Sequence, residues 1–553
     1  MMTAFPSTLF TGKKFAVVGL GQNGRPAAEA LRAMGADVTA WDDSETARAA
    51  AVDLTPRDPR EGAFDFDAIV LSPGIPHRLP KPHPIAARAV AAGIPIVSDV
   101  ELLYQAVRGA GSRARFVGIT GTNGKSTTTA LLAHVLKQAG WNAEAGANLG
   151  PAALSLPLLP DDGIYVLEMS SYMLERLDTL RFDAAAMLNL SADHIDRHGD
   201  MAGYALAKRA IFDRQTSHDL AVIGIEDVGS RAMAGWLETR PARVVRVSGS
   251  GAMDVAGATP ADVFCQDGVL RDAVGPILRL ADALALPGAH NAQNAAAAAA
   301  MASFLGLDRD RIASGIASYP GLPHRQQRIV TVDGVTFVND SKATNADAAE
   351  RALICYDRLI WIAGGMGKEG GIVPLVPHFP RIARAMLIGR DAPIFAATLA
   401  EHGVPFDMVG TLDVAVPAAF AAAKREHAAV VLLSPATASW DQFRSYEHRG
   451  TRFAELARGL AFASSRDDRG APGPFIDPAA VRCHDPADSP RHDPARPDHP
   501  SQHDVTADGP IGPGHDGTRG SAPGGKHSDP DGTRGSGHEG GHDGNAARGG
   551  TTP

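Results

Sequence analysis

The sequence runs to 553 residues, 44% hydrophobic and 21% charged, the balance of a globular chain with more than one core. Its 62 acidic against 53 basic side chains leave a net charge of −9, which argues against nucleic acid or an anionic membrane as the main partner. Three dispersed cysteines, Cys265, Cys355 and Cys483, offer neither a disulfide framework nor a zinc site and fit a reducing, cytoplasmic compartment.

No cleavage-type signal surrounds "FAVVGLG", and no run of about eighteen apolar residues occurs, so membrane insertion is not expected. The stretch "FAVVGLGQNG" (15–24) reads as a strand entering Gly19-x-Gly21-x-x-Gly24. A helix over 27–34 and a second strand, "DVTAWDD", ending at Asp42-Asp43, follow. A βαβ unit with an acid about twenty residues beyond its glycines suits a ribose or pyrophosphate at a helix N-terminus. The same pattern also describes a tight turn with no ligand, and NAD is one natural occupant. "AIVLSPGIP" (68–76) and "IPIVSDVELL" (94–103) predict two more buried parallel strands, each ending in a polar loop.

A second phosphate loop lies in "GITGTNGKSTTT" (118–129), between the apolar run 116–120 and a helix-like pattern. Gly121 and Gly124 let backbone N–H groups wrap phosphates, Lys125 reaches them, and Ser126 offers a hydroxyl to Mg²⁺. The loop is shorter than the strict nucleotide motif but keeps each part that touches phosphate. Glu168 ends a predicted strand, "GIYVLEMSSYML" (163–174), and another (184–199) leads to Asp193-His194. Read singly, Glu168 is equally a solvated strand-end acid, His194 an exposed loop residue and Lys208 a surface lysine. The segment "PGAHNAQNAAAAAAMASFLG" (287–306) predicts an alanine-rich helix that Asn291 can cap.

Beyond it, "GLPHRQQRI" (321–329) precedes a hairpin at Asp333-Gly334 and a strand in "VTFVNDSKATN" (335–345). "LIWIAGGMGKEG" (359–370) and "VVLLSPATASWDQF" (430–443) predict strands entering polar loops. From 465 the chain is rich in Asp, His, Pro, Gly and Arg and nearly free of apolar residues, so a disordered tail is expected.

Gly121-Thr122-Asn123-Gly124-Lys125-Ser126-Thr127, Glu168-Met-Ser-Ser171, Asn189-x-x-x-Asp193-His194 and Lys208 together resemble the central domain of the Mur ligases. These are ATP-dependent enzymes that add amino acids to the peptidoglycan precursor, on a plan shared with folylpolyglutamate synthetase. The resemblance spans roughly residues 10–463. It implies an α/β protein of three domains: Rossmann-like (1–110), a P-loop-type central parallel sheet (111–321) and a C-terminal Rossmann-like domain (322–464), before the tail (465–553). It further implies ATP on the 121–127 loop, with Asn294 facing adenine and with His324, Arg325, Asp340 and Lys342 closing over the nucleotide.

Two Mg²⁺ ions are implied, one on Ser126 and Glu168, the other on His194 and a Lys208 carbamylated by CO₂. Lys125, Glu168, His194, Lys208 and Lys342 become the catalytic set. Asn339-Asp-Ser-Lys-Ala-Thr-Asn345 resembles the D-glutamate-adding branch of the family, which implies D-glutamate held by Thr344, Lys368, Ser439 and Tyr446. UDP-N-acetylmuramoyl-L-alanine would then take the first glycine loop in place of NAD. Its contacts are expected at Gly21, Gln22, Asn23, Gly24, Asp43, Ser44, Ser72, Gly74, Asn148 and His194. Asp43 and Ser44 replace a threonine and an arginine familiar there. A cytoplasmic monomer is expected. A sister ligase with another substrate, or an NAD- or nucleotide-sensing binding protein, are the competing readings.

Overall fold

The computed structural model describes residues 4–251, 260–367 and 371–467, with side chains to 462. The chain is mixed α/β, and among the described residues three parallel-dominated sheets succeed one another along it. The first joins β1 (Lys14–Val18), β2 (Asp37–Trp41), β3 (Ala68–Leu71) and β4 (Ile96–Val97) in the order β2-β1-β3-β4. The second contains β5 (Arg115–Thr120), β6 (Ala143–Ala147), β7 (Ile164–Glu168), β8 (Ala184–Met187), β9 (Leu220–Gly224) and β10 (Arg243–Ser248). Three further strands extend it: β11 (Val263–Gln266), β12 (Val269–Asp272) and β13 (Gly275–Arg279). Its order is β13-β12-β11-β10-β9-β8-β5-β7-β6, parallel as far as β11 and antiparallel beyond.

The third sheet is built from β14 (Gln327–Val332), β15 (Val335–Asn339), β16 (Leu359–Gly364), β17 (Ile382–Ile388), β18 (Phe406–Gly410) and β19 (Val430–Leu433). It runs β14-β15-β19-β16-β17-β18, with only the β14–β15 hairpin antiparallel. Asp333 and Gly334 turn that hairpin with φ of 47° and 80°, the left-handed pair that matches strand twist.

The order of the central sheet positions the chemistry. β5 lies between β7 and β8, so its outgoing loop leaves at a point where neighbouring connections diverge, and a crevice opens at the carboxyl ends. Ile119 pairs with Glu168 and Thr120 with Met187, which sets the glycine loop beside the Glu168 carboxylate.

The reading of 94–103 as a strand is corrected. Only Ile96–Val97 pair with β3, and Asp99–Gly109 is a helix. Ser98 caps it by accepting a hydrogen bond from the Glu101 N–H at 3.3 Å, while Asp99 and Glu101 place negative charge in the first turn. Val100 and Leu103 of this helix share one continuous apolar core with Phe116 and Tyr165 of the central sheet. The third sheet keeps separate cores on its two faces.

Glu101 itself is a buried clamp between the first and central sheets. Its carboxylate accepts from the backbone N–H groups of Asp178, Thr179 and Leu180 and from the Thr179 hydroxyl. Burial opposes its charge, but these bonds hold it below the ordinary carboxylate value. Glu101→Ala is therefore expected to lower unfolding stability by about 3 kcal/mol in urea titrations, because several buried donors are orphaned together. No helix of the described residues is long and apolar enough to cross a membrane.

Candidate active site

The second glycine loop leaves β5 and enters the helix Lys125–Gln138 through Gly124, whose φ of 82° is left-handed. A Cβ there would lie 2.4 Å from Asn294 Oδ1, so glycine is needed for the loop to seat against the helix Ala289–Leu305. Lys125 Nζ folds back to donate to the carbonyls of Gly121 at 2.9 Å and Thr122 at 2.8 Å. Ser126 Oγ accepts at 3.1 Å from Arg325, two residues before β14.

Lys208, on the helix Met201–Arg209, is not the surface lysine its sequence setting suggests. It is 1% exposed, and its Nζ donates to the same Gly121 carbonyl at 2.8 Å and lies 4.6 Å from the centre of the Tyr204 ring. Burial, then the neighbouring Lys125 charge, push its pKa well below the ordinary lysine value. Glu168 is also buried. One carboxylate oxygen accepts from Asn148 Nδ2 at 2.6 Å, and Oε2 has no partner.

His194 has a left-handed φ of 53° and stays half exposed, 3.4 Å from Asp193 Oδ2, with its ring centre 4.9 Å from that of Tyr172. Burial lowers its pKa, more strongly than Asp193 raises it. Among the described residues no group of three His, Cys, Asp or Glu side chains forms a closed metal site. Ser126, with the unpartnered Glu168 oxygen, suits instead a hard cation that takes its remaining oxygens from phosphate and water.

A cleft brings together Asn123, Gly124, Thr127, Asn294, Arg325, Asp340 and Lys342 on its lining. It is also lined by residues the sequence reading passes over, among them His290, Tyr319, Gln326 and Arg351. Each of these four carries a buried polar atom without a protein partner, as does Arg325. So many unmet polar groups converging on one cleft are the mark of a polar ligand's seat. Asp340 accepts from Ser434 Oγ at 2.7 Å and from the Gln326 N–H at 3.2 Å, and burial pushes it up to about 7. Lys342 is brought down to about 8, chiefly by burial and then by Arg325, and lies 5.3 Å from the centre of the Tyr446 ring.

Asn291 does not cap its helix. Gly288 is the N-cap, and Asn291 Nδ2 donates to the Pro287 carbonyl at 2.7 Å. Gly121, Thr122, Lys125 and Ser126 lie in the loop beside the cleft rather than on its wall. His324 reaches Asn339 Nδ2 at 3.1 Å, away from the cleft.

Of the residues expected to hold glutamate, Ser439 is buried, Thr344 is half-buried one residue before the cap of helix Ala346–Leu353, and Tyr446 begins the helix Tyr446–Asp467. Lys368 lies outside the described residues. The sequence reading also misses Arg449, a helix arginine with no distinguishing pattern. It is 1% exposed and donates to Ser341 Oγ and O and to the Thr437 carbonyl, so it ties the Asp340–Lys342 loop to the loop before Ser439.

The first sheet carries a cavity of about 500 Å³, lined by Gly19, Gly21, Gln22 and Asn23, by Asp42 and Asp43, and by Ser72–Pro76, with His83 and Asn148. Asp42 accepts from the Leu20 N–H at 2.7 Å, and Asp43 from Trp41 Nε1 at 2.9 Å, with His83 Nε2 2.8 Å away. Asn148 lines this cavity and donates to Glu168, so one side chain joins the cavity to the carboxyl end of β7. Ser44 and Gly24 are not on the wall. Ser44 caps the helix Glu45–Ala50, and Gly24 is a packing residue whose added Cβ would sit 1.7 Å from the Gly19 carbonyl. Gly24→Ala should therefore spread the loop and lower affinity for a first-cavity ligand about tenfold or more in calorimetry, with nucleotide binding in the second cleft preserved.

Residues 119–302 match the Mur ligase middle domain. The chain is 50% identical over 457 residues to the UDP-N-acetylmuramoylalanine–D-glutamate ligase of Paramagnetospirillum magneticum, covering 82% of this chain and 98% of that protein. It is 47% identical to the ligase of the same name from Rhodospirillum rubrum, over 83% of this chain and 98% of that one. Among solved structures, a UDP-N-acetylmuramate–alanine ligase from Thermotoga maritima superposes with a TM-score of 0.49 at 16% identity, over 81% of this chain and 99% of that chain.

Proposed function

We propose that this chain, which belongs to the family of UDP-N-acetylmuramoylalanine–D-glutamate ligases, joins D-glutamate to UDP-N-acetylmuramoyl-L-alanine by an ATP-driven amide ligation in peptidoglycan precursor synthesis. One observation carries the reading beyond the relatives. Asn148 lines the first cavity and donates to Glu168, Glu168 pairs in register with Ile119 at the root of the Gly121–Ser126 loop, and Ser126 accepts from Arg325 of the second cleft; this chain of neighbours supports an acid and a triphosphate held side by side.

The L-alanine carboxylate attacks the γ-phosphorus of ATP, the β–γ bridging oxygen departs with its electron pair as ADP, and an acyl phosphate remains. The D-glutamate amine then attacks the carbonyl carbon, loses a proton and expels inorganic phosphate. Lys125, released from the Gly121 and Thr122 carbonyls, with Arg325 and Lys342, neutralises the phosphoryl oxygens and lets two anions approach. Asn294 holds the adenine side of the cleft, beside His290 and Gln326.

Ser126 and Glu168 would hold one Mg²⁺, and His194 with a carbamylated Lys208 a second; bound there, the ions would supply charge neutralisation to the phosphates. Lys208 suits that role because burial and the Lys125 charge lower its pKa and so favour the uncharged amine that CO₂ requires. Thr344, Ser439, Tyr446 and Lys368 take the glutamate carboxylates. All these groups come from one chain, which is consistent with a monomer working in the cytoplasm, where ATP and nucleotide sugars occur.

The test offers ATP, UDP-N-acetylmuramoyl-L-alanine and a panel of amino acids, and scores phosphate release. D-glutamate alone should support turnover, and Lys125→Ala should abolish it. Release with a different amino acid would assign a sister ligase. Nucleotide binding without release under every condition would return the chain to the sensing class.

A further inference from the structure

The first cavity has an electrostatic deficit. Asp42 and Asp43 line it, and among the described residues no lysine or arginine does. A nucleoside diphosphate is expected to sit there, and two carboxylates would repel it. Three arginines that are not part of the lining donate to the backbone carbonyls of its wall. Arg48 donates to the carbonyls of Asp42 and Asp43 on one side. On the other side the central domain supplies Arg176, which is 3% exposed. Its Nη1 donates to the carbonyls of Leu71 at 2.8 Å and Ser72 at 3.2 Å, its Nη2 to Ile75 at 2.5 Å, and its Nε to His77 Nδ1 at 3.3 Å.

Arg197 adds bonds to the Gly74 carbonyl at 3.0 Å and Ile75 at 3.5 Å, and stacks 4.3 Å above the Tyr172 ring. Ser72 Oγ carries the wall onward to the Gly19 carbonyl at 2.7 Å, so both phosphate-facing loops hang from this pair. Burying a guanidinium among carbonyls, with no carboxylate hydrogen-bonded to it, is costly in isolation. It is explicable if the charge serves something on the other side of the loop. Burial, then Arg197, bring Arg176 down to about 10, so it remains a cation at neutral pH.

We infer that Arg176 and Arg197 of the central domain are positioning residues for the nucleotide-sugar substrate: they fix the Ser72–Ile75 wall and supply, from behind, the positive charge that its diphosphate lacks in the cavity lining. This rests on the assignment of that cavity to the UDP moiety. It also places the loop carrying His194, three residues before Arg197, in direct contact with the substrate's wall.

The experiment compares Arg176→Met, Arg176→Lys and Arg197→Met with wild type by calorimetry against UDP and uridine, and by kinetics. Arg176→Met should weaken UDP about tenfold or more, and uridine less than about threefold, because only the diphosphate senses the charge. KM for the nucleotide sugar should rise while kcat stays within about threefold, and Arg176→Lys should recover part of the UDP affinity. Arg197→Met, a half-buried site, should show the same UDP-selective loss to a smaller degree, and it carries the test if Arg176→Met fails to fold. Equal losses for UDP and uridine in whichever variants fold, or unchanged UDP affinity, overturn the inference. A wild type without UDP affinity overturns the assignment of the cavity itself, and with it this inference.

Discussion

Lys208→Met should cut turnover by about a thousandfold or more while making the metal-free, CO₂-depleted protein harder to unfold at neutral pH. Both halves follow from one piece of geometry. Lys208 and Lys125 donate to the same carbonyl, at 2.8 and 2.9 Å, so two amines are crowded in a buried site. Burial and the Lys125 charge depress the Lys208 pKa, and the native state binds fewer protons there than the unfolded chain does below 10.5. Stability from this group therefore rises with pH between its folded value and 10.5, and folding at pH 7 is penalised.

Methionine fills much the same volume without the amine, and the Gly121 carbonyl keeps its bond from Lys125. The midpoint of thermal unfolding should be higher for the variant at pH 7, with the difference closing as pH approaches 10.5. Turnover falls because the anionic, oxygen-bearing carbamate of the proposed mechanism can no longer form. Carbon-13 NMR in labelled bicarbonate should show a carbamate resonance in wild type that the variant lacks. A variant less stable than wild type across the whole pH range would remove the neutral amine from the account.

Much of this site could be read before the fold was known, because its parts are local. Gly121 to Ser126 carry their geometry in six adjacent residues, and Asp333-Gly334 announces its own turn. What escaped reading is assembled across long separations. Arg176 finds its acceptors about a hundred residues upstream, and Glu101 its donors nearly eighty residues downstream. Neither sits in a periodic pattern, since a buried charge satisfied by loop backbone leaves no spacing to detect.

The misread strand at 94–103 has a local cause. The apolar run "IPIV" outweighed Ser98-x-x-Glu101, a helix-start signal that the structure honours through the Ser98 side of the box. The apparent surface lysine at 208 shows the same limit from the other direction. Its helix is amphipathic enough to leave the outer face ambiguous, and only packing against Tyr204 and the phosphate loop decides it.

Asp340→Asn should likewise separate stability from activity, with the signs opposed. Asp340 is pushed from 3.8 to about 7 by burial, against the opposing bonds from Ser434 and Gln326 and the charges of Arg325 and Arg449. Between those values the native state binds more protons than the unfolded chain, so stability falls as pH rises through the window and the loss is complete above pH 7. At pH 8 the penalty is on the order of 4 kcal/mol. Asparagine can accept from the Gln326 N–H and donate to Ser434 Oγ once the hydroxyl turns, so packing and hydrogen bonds survive. The variant should unfold at higher urea than wild type at pH 8, with the difference shrinking as pH falls toward 3.8.

Its turnover at pH 8 should nonetheless drop about a hundredfold, because a neutral amide cannot hold the arginine and lysine of the third domain in register over the phosphates. Equal urea midpoints at pH 8, or an active Asn variant, would show that the carboxylate is a passive core group. The expected divergence has a physical source. The cleft buries the cationic Arg325 and Lys342, an arrangement that is unfavourable until a polyanion enters and pairs them, and it holds Asp340 beside them against the cost of desolvating its carboxylate.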